Sequence, residues 1–248
     1  LPVNEERKMN SIKQIEVIYN NRQVGRLALT KAGLCAFEYS AEWLSSGFSI
    51  SPFELPLRSG VFIAKPRPFE GGFGVFDDCL PDGWGLLILD RYLQQKGINP
   101  RTLTLLDRLA LVGSTGRGAL EFRPDNSVVT RQDFADFEKL ALEAEKILAS
   151  DDYMGEGIEE FQDRGGSPGG ARPKIFVRYN DKEWLVKFRA KRDSQSIGVD
   201  EYRYSLLAKE CGIEMPETRL FEGKYFGVER FDRTLGGKLH VVSVAGLI

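Results

Sequence analysis

The stretch Gly165–Arg189, GGSPGGARPKIFVRYNDKEWLVKFR, reads as loop, strand, turn and strand. Four glycines, Ser167 and Pro168 open it, and such a run brings bare backbone N–H groups close to an anion with no Cβ in the way, which makes it a candidate phosphate cradle. Behind it Lys174–Tyr179 alternates as a strand. Asn180-Asp181 supplies a turn that tolerates positive φ, and Glu183–Arg189 returns. In the returning strand Trp184, Val186 and Phe188 share one face, so Leu185 and Lys187 share the other. A lysine between large apolar residues has two readings. It is either a group that meets nucleotide phosphates under a glycine-rich lid, or a snorkelling side chain on a surface hairpin.

Working outward, Ser150–Arg164 before the hairpin is polar, acidic and glycine-containing, and reads as a linker at a domain boundary. Asp133–Ala149 precedes it as an amphipathic helix with Phe134, Phe137, Leu140, Ala141 and Ile147 on the buried stripe. After the hairpin, Val199–Cys211 is a helix ending at Gly212, with Glu201, Tyr204, Ala208 and Cys211 on one side. Glu201 has two readings, a first-turn carboxylate complementing the helix dipole or the ion-pair partner of Lys187. Strands Glu217–Glu222 and Tyr225–Phe231 follow, with Gly223-Lys224 as their turn. Glycine loop, Lys strand, Glu helix and two more strands form the order of a kinase small lobe.

The N-terminal half alternates instead. Ile12–Tyr19, Gln23–Leu29 and Leu34–Tyr39 form a meander turned at Asn20-Asn21, and the proline-bearing Ser51–Pro68 is extended loop with short strands at most. From Asp82 the spacing of Trp84, Leu87, Ile88, Arg91 and Tyr92 becomes helical, stopping at Gly97. Thr102–Leu111 is a second helix opening on a Thr cap. Gly113–Gly118 lacks the GK[ST] ending of a nucleotide loop and reads as a connector into strand Ala119–Phe122.

With 248 residues and a formal net charge of -2, the chain has room for two cores and advertises no global field for nucleic acid or anionic membrane. Its three cysteines, Cys35, Cys79 and Cys211, have no CxxC spacing and read as reduced, buried thiols of a cytoplasmic protein. No apolar run reaches bilayer length. The start without Met reads as a processed or trimmed end, and the apolar finish HVVSVAGLI as a truncation.

Five motifs together resemble the HipA family of toxin serine/threonine kinases: LPDGWG at Leu80–Gly85, GRGALEFRP at Gly116–Pro124, GSPGGARPK at Gly166–Lys174, EYRYSLLAKECGIEMP at Glu201–Pro216 and VERFDR at Val228–Arg233. The resemblance runs from about Ile12 to the last residue. It implies an α+β protein, truncated, with an N-terminal β-rich subdomain over 12–124 that bears the Asp82–Gln95 helix. A helix and linker over 125–164 and the small lobe of a bilobal protein-kinase-like fold over 165–248 complete it. By the same resemblance ATP, with Mg2+ in the complete protein, is bound by Ser167, Gly169, Gly170, Ala171, Lys174, Lys187, Glu229 and Phe231, with Glu201 as the helix carboxylate. Glu229-Arg230-Phe231 corresponds to the adenine-contacting hinge. Ser167 corresponds to the serine that the family autophosphorylates, and two added negative charges there would eject the loop and weaken nucleotide binding.

The implied partners are a helix-turn-helix antitoxin, nucleic acid only through it, and a protein substrate; family members attack an aminoacyl-tRNA synthetase. No membrane partner is implied. The departure lies in the chemistry. Phosphoryl transfer of this kind needs a catalytic Asp with an Asn and a second, metal-binding Asp. No Asn occurs after Asn180, and beyond the hinge only Asp232 is a carboxylate, while the sole histidine, His240, reads as an ordinary strand-end residue. The expectation is a chain that binds like a small lobe and does not catalyse alone. A non-catalytic protein that holds an antitoxin or a separate catalytic chain is the alternative reading, and a lipid kinase a weaker third.

Overall fold

The computed structural model describes residues 11–127, 135–165 and 169–248. Its elements in chain order are β1 (Gln14–Tyr19), β2 (Arg22–Leu29), β3 (Cys35–Tyr39), α1 (Ala41–Ser46), β4 (Val61–Ile63), α2 (Gly74–Asp77), α3 (Gly83–Gln95), α4 (Leu105–Val112) and β5 (Leu120–Arg123). There follow α5 (Phe137–Ala149), α6 (Gly157–Gly165), β6 (Lys174–Tyr179), β7 (Lys182–Lys187), α7 (Ile197–Glu210), β8 (Thr218–Phe221), β9 (Tyr225–Glu229), β10 (Arg233–Thr234), β11 (Gly237–Lys238) and α8 (Val244–Leu247). The fold is mixed α and β with a β-rich N-terminal region, and it divides into two compact units.

The first unit holds residues 1–81, 96–128 and 232–248. Its five-stranded sheet runs β4-β3-β2-β1-β5, and the meander expected from alternation is its antiparallel centre. Asn20 and Asn21 take positive φ at the first turn, where Asn is tolerated better than a β-branched residue. Ile15, Val17, Leu27, Phe37 and Trp43 are buried in one core with Phe76, Leu106, Leu109 and Phe122. Trp43 spends its indole N–H on the Phe48 carbonyl at 2.8 Å, so its burial leaves no donor unpaired.

Helix α4 starts later than the expected Thr102. Pro100–Thr102 is a 3-10 turn, and Thr104 caps the α-helix in a reciprocal capping box with Asp107. A second threonine two residues on, with an acid at its third position, outcompetes the first. Thr104→Ala is expected to cost about 1 kcal/mol, read as a fall in the thermal midpoint of the first unit, with Thr104→Ser recovering most of it.

The tail is bound into this unit by polar contacts. Asp232 is 4% exposed and accepts from the Gly118 N–H at 2.8 Å and from Arg233 Nη1 at 2.9 Å. Arg233 also donates to the Gly116 and Gly118 carbonyls, both at 2.8 Å. Two of the quoted motifs, GRGALEFRP and VERFDR, thus meet each other. His240 follows β11 in a loop rather than at a strand end, with its Nε2 2.8 Å from the Ile50 carbonyl and its pKa held below the ordinary value by burial. Cys35 and Cys79 are buried as expected; Cys211 is exposed.

The second unit holds residues 82–95 and 129–231. Its four-stranded sheet runs β6-β7-β9-β8, all antiparallel. The strands of the meander are in a different sheet, as expected. Two boundaries differ from the expectation. Helix α3, assigned by sequence to the β-rich subdomain, is packed in the second unit. Trp84 and Ile88 join its core, the Trp84 and Phe161 rings lie 4.9 Å apart, and Arg91 donates to the Ile147 carbonyl at 2.8 Å. Residues 232–248, assigned to the kinase lobe, fold with the first unit through the Asp232–Arg233 contacts.

The supposed linker 150–164 also holds a helix, α6. Only Ile158 and Phe161 mark it as apolar, and both are fully buried, so two large side chains one turn apart anchor what composition presents as polar. Helix α5 begins at Phe137 on an Asp136 cap and buries Phe137, Leu140, Ala144 and Ile147. Phe134, placed on that stripe by spacing, lies outside the described residues.

Candidate functional site

Strand β7 is central in the second sheet, and its alternation sorts the site. Trp184, Val186 and Phe188 are buried in a core with Ile175, Val177, Phe137 and Phe161. Leu185 and Lys187 face the opposite side. Register places Lys174 opposite Lys187 and Phe176 opposite Leu185, and Leu185 opposite Val228 on β9. Directly paired residues share a face. The second face is therefore an apolar floor of Phe176, Leu185, Phe226 and Val228 with two lysines at one end. Lys187 Nζ lies 5.2 Å from the centre of the Phe226 ring, within cation–π range.

Helix α7 brings the carboxylate. Lys187 Nζ is 3.2 Å from Glu201 Oε2, and Arg172 Nη1 is 3.2 Å from Glu201 Oε1. Arg172 in turn grips Asp193 through Nε at 2.9 Å and Nη2 at 3.0 Å. Bonds from the Ala190 N–H and from Arg172 hold the Asp193 pKa below the usual carboxylate range. The approach of α7 to the sheet depends on Gly198, where an added Cβ would stand 2.1 Å from the Lys224 carbonyl oxygen. The sheet-facing line is Gly198, Glu201, Ser205 and Ala208, and Ser205 Oγ bonds Thr218 Oγ1 at 2.9 Å. The expected stripe through Tyr204 and Cys211 points outward, with Tyr204 72% exposed. Small residues make the contact, and a reading by hydrophobicity passes over them.

Of the glycine-rich run, Gly166, Ser167 and Pro168 lie outside the described residues. Gly169 and Gly170 are fixed by their carbonyls, which accept from Lys174 Nζ at 2.7 and 2.9 Å. Lys174 is 4% exposed. Burial first and then the neighbouring Lys187 push its pKa down to about 8. In the unfolded chain a lysine titrates at about 10.4, so between these values the unfolded state holds a proton that the folded state has lost. Unfolding free energy contributed by this group then rises with pH across that window. Denaturant unfolding of wild type and Lys174→Met from pH 7.5 to 10.5 is expected to show wild type gaining on the variant as pH rises; a constant difference would contradict the assignment.

Glu229, Arg230 and Phe231, expected to form a hinge, are placed by the sheet. The Glu229 N–H donates to the Glu217 carbonyl and the Arg230 N–H to the Glu183 carbonyl, both at 2.8 Å. The Glu229 carboxylate accepts from Lys182 at 2.8 Å, and Arg230 lies over the Phe176 ring at 4.1 Å. Phe231 is 59% exposed and Ala171 is exposed. The structure thus brings Gly169, Gly170, Lys174, Lys187 and Glu201 together, with Glu229 and Phe231 at the far end of β9. Reading by sequence missed Asp82, whose carboxylate accepts from the Gly170 N–H. Its signal was the LPDGWG motif. Among the described residues no group of three or more His, Cys, Asp or Glu is placed to hold a metal ion. Nor, among the described residues, is any helix long and apolar enough to cross a membrane.

A β-rich first unit and a second unit with a Lys–Glu pair on an antiparallel sheet define the class, and family models give it a name. The HipA N-terminal domain matches residues 15–123 and the HipA-like C-terminal domain matches residues 166–248. The chain belongs to the HipA family. No curated protein matches it.

Proposed function

We propose that the second unit is the nucleotide-binding lobe of a HipA-like toxin that, as a complete protein, is an ATP-dependent serine/threonine protein kinase. The observation that carries this reading is the Lys187–Glu201 pair at 3.2 Å, set at the end of an apolar floor and beside a glycine-rich run. An ammonium held by a carboxylate is aimed rather than free, and phosphoryl-transfer proteins use such a pair to orient nucleotide phosphates. Lys187, with Lys174 opposite it, binds and orients the phosphates. Phe176, Leu185, Phe226 and Val228 exclude water beneath the base. Because the Glu229 and Arg230 N–H groups are already spent on the sheet, the adenine edge is met from the backbone of Phe231.

Mg2+ held by the triphosphate would screen its charge, and the transfer step would need an Asp–Asn pair that these residues do not supply. Ser167 is the proposed autophosphorylation site, and a helix-turn-helix antitoxin and a protein substrate are the proposed partners. Nucleic acid would be reached only through the antitoxin, consistent with a net charge of -2. Isothermal titration of the chain with MgATP tests the reading. Saturable one-to-one binding is expected, and no binding up to millimolar nucleotide would overturn it.

A further inference from the structure

Within the LPDGWG motif Trp84 enters the core, while Asp82 and Gly83 belong to neither the core nor the Lys–Glu pair, and the motif meets both backbone polar atoms of Gly170. Asp82 accepts from the Gly170 N–H. The Trp84 N–H donates to the Gly170 carbonyl at 3.0 Å, and Lys174 Nζ donates to the same carbonyl at 2.9 Å. Between them Gly83 lies so close that an added Cβ would stand 2.8 Å from Ala171 Cα and from the Gly170 carbonyl carbon; its φ is also +43°. No side chain fits there, so the two backbones meet directly.

The clamp is rigid because α3 is rigid. Trp84 is 2% exposed against Phe161, and Arg91 and Gln95 bond the Ile147 and Met154 carbonyls at 2.8 Å each. Gly170 itself has φ +94°, a conformation that an unrestrained glycine leaves easily because glycine has the most freedom to regain. Asp82 and Trp84 hold it from either side of Gly83.

We infer that Asp82 is a positioning residue for the phosphate-binding run: with Trp84 it fixes Gly170, and through the Gly169 and Gly170 carbonyls it fixes the ammonium of Lys174 beside Lys187. This rests on the nucleotide reading above and adds a determinant of affinity for the phosphate tail. Loss of the carboxylate frees Gly170, removes the fixed acceptors of Lys174 and leaves the apolar floor untouched. The effect falls on ligands with phosphates and spares adenosine.

The test uses the full chain with Asp82→Ala, Asp82→Asn and, as a variant that disturbs the same approach at the first residue of α3, Gly83→Ala. MgATP and adenosine are titrated separately, and the Gly170 amide proton is followed by NMR without nucleotide. Asp82→Ala is expected to weaken MgATP about tenfold, the scale of one charge-assisted bond, with adenosine unchanged. Asp82→Asn, whose amide oxygen still accepts, is expected to recover most of the loss. The Gly170 amide should move upfield in Asp82→Ala, because an N–H donated to a carboxylate is strongly polarised.

Equal affinity for MgATP in wild type and Asp82→Ala overturns the inference, as does parallel loss of ATP and adenosine with a lowered melting point, which marks a merely structural residue. An unmoved Gly170 amide overturns it while leaving the nucleotide reading intact. A wild type that binds neither ligand overturns both, and the amide then shows separately whether the contact exists.

Discussion

Replacing Lys187 with Met is expected to weaken MgATP binding by about a hundredfold while the chain stays folded. A lysine that meets two phosphate oxygens contributes on the order of 3 kcal/mol through charged hydrogen bonds, which is about two decades in affinity. Met keeps the aliphatic stem against Phe226 and removes only the charge. The folded state loses little, because the Lys187 and Glu201 side chains are 31% and 22% exposed and ion pairs so open to water contribute about 1 kcal/mol or less. Glu201→Gln removes the aim and keeps the cation, so its expected loss is smaller, about tenfold. Calorimetric titration alongside a thermal melt checks both. Unchanged affinity in Lys187→Met would show that the lysine does not touch the ligand.

The second large effect falls in the other unit. Asp232→Ala is expected to destabilise the first unit by about 3 kcal/mol or more, since removing one partner of a buried pair leaves the other charge uncompensated. The Gly118 N–H loses its acceptor, and Arg233 loses the carboxylate while its bonds to the Gly116, Gly118 and Asp232 carbonyls remain. Asp232 is the sole side-chain carboxylate after Phe231, and its position invites a chemical role. Its Oδ2 is instead committed to the clasp, accepting from Gly118 and Arg233. The variant should melt earlier, and below its transition should bind MgATP as wild type does. A variant of normal stability with lost nucleotide affinity would reverse that assignment.

The strands were legible because alternation over Gln14–Tyr19 and Lys182–Lys187 fixes which side chains face a core, and because Asn20-Asn21 and Asn180-Asp181 mark their turns. Of the two readings of Glu201, the ion pair with Lys187, suggested by the small-lobe order of elements, is the one the structure shows. Three features were not legible. Helix α6 shows only two large apolar residues, so composition hides it. Helix α7 packs through Gly198 and Ser205, whose small size is a matter of contact distance and not of hydrophobicity. The exchange of α3 and of residues 232–248 between units is a matter of tertiary partners: Arg91 to Ile147 and Asp232 to Gly118 span 56 and 114 positions, and no local pattern encodes them. Asp82 escaped for the same reason, as its partner Gly170 is 88 positions away.

The most direct test of the central claim is to map the bound nucleotide by amide chemical-shift changes on adding a non-hydrolysable ATP analogue with Mg2+. The account predicts changes at Gly169–Phe176, Leu185–Lys187 and Phe226–Phe231, with the strands of the first unit still. Changes confined to the first unit, or none at Lys187 and Phe226, would contradict it.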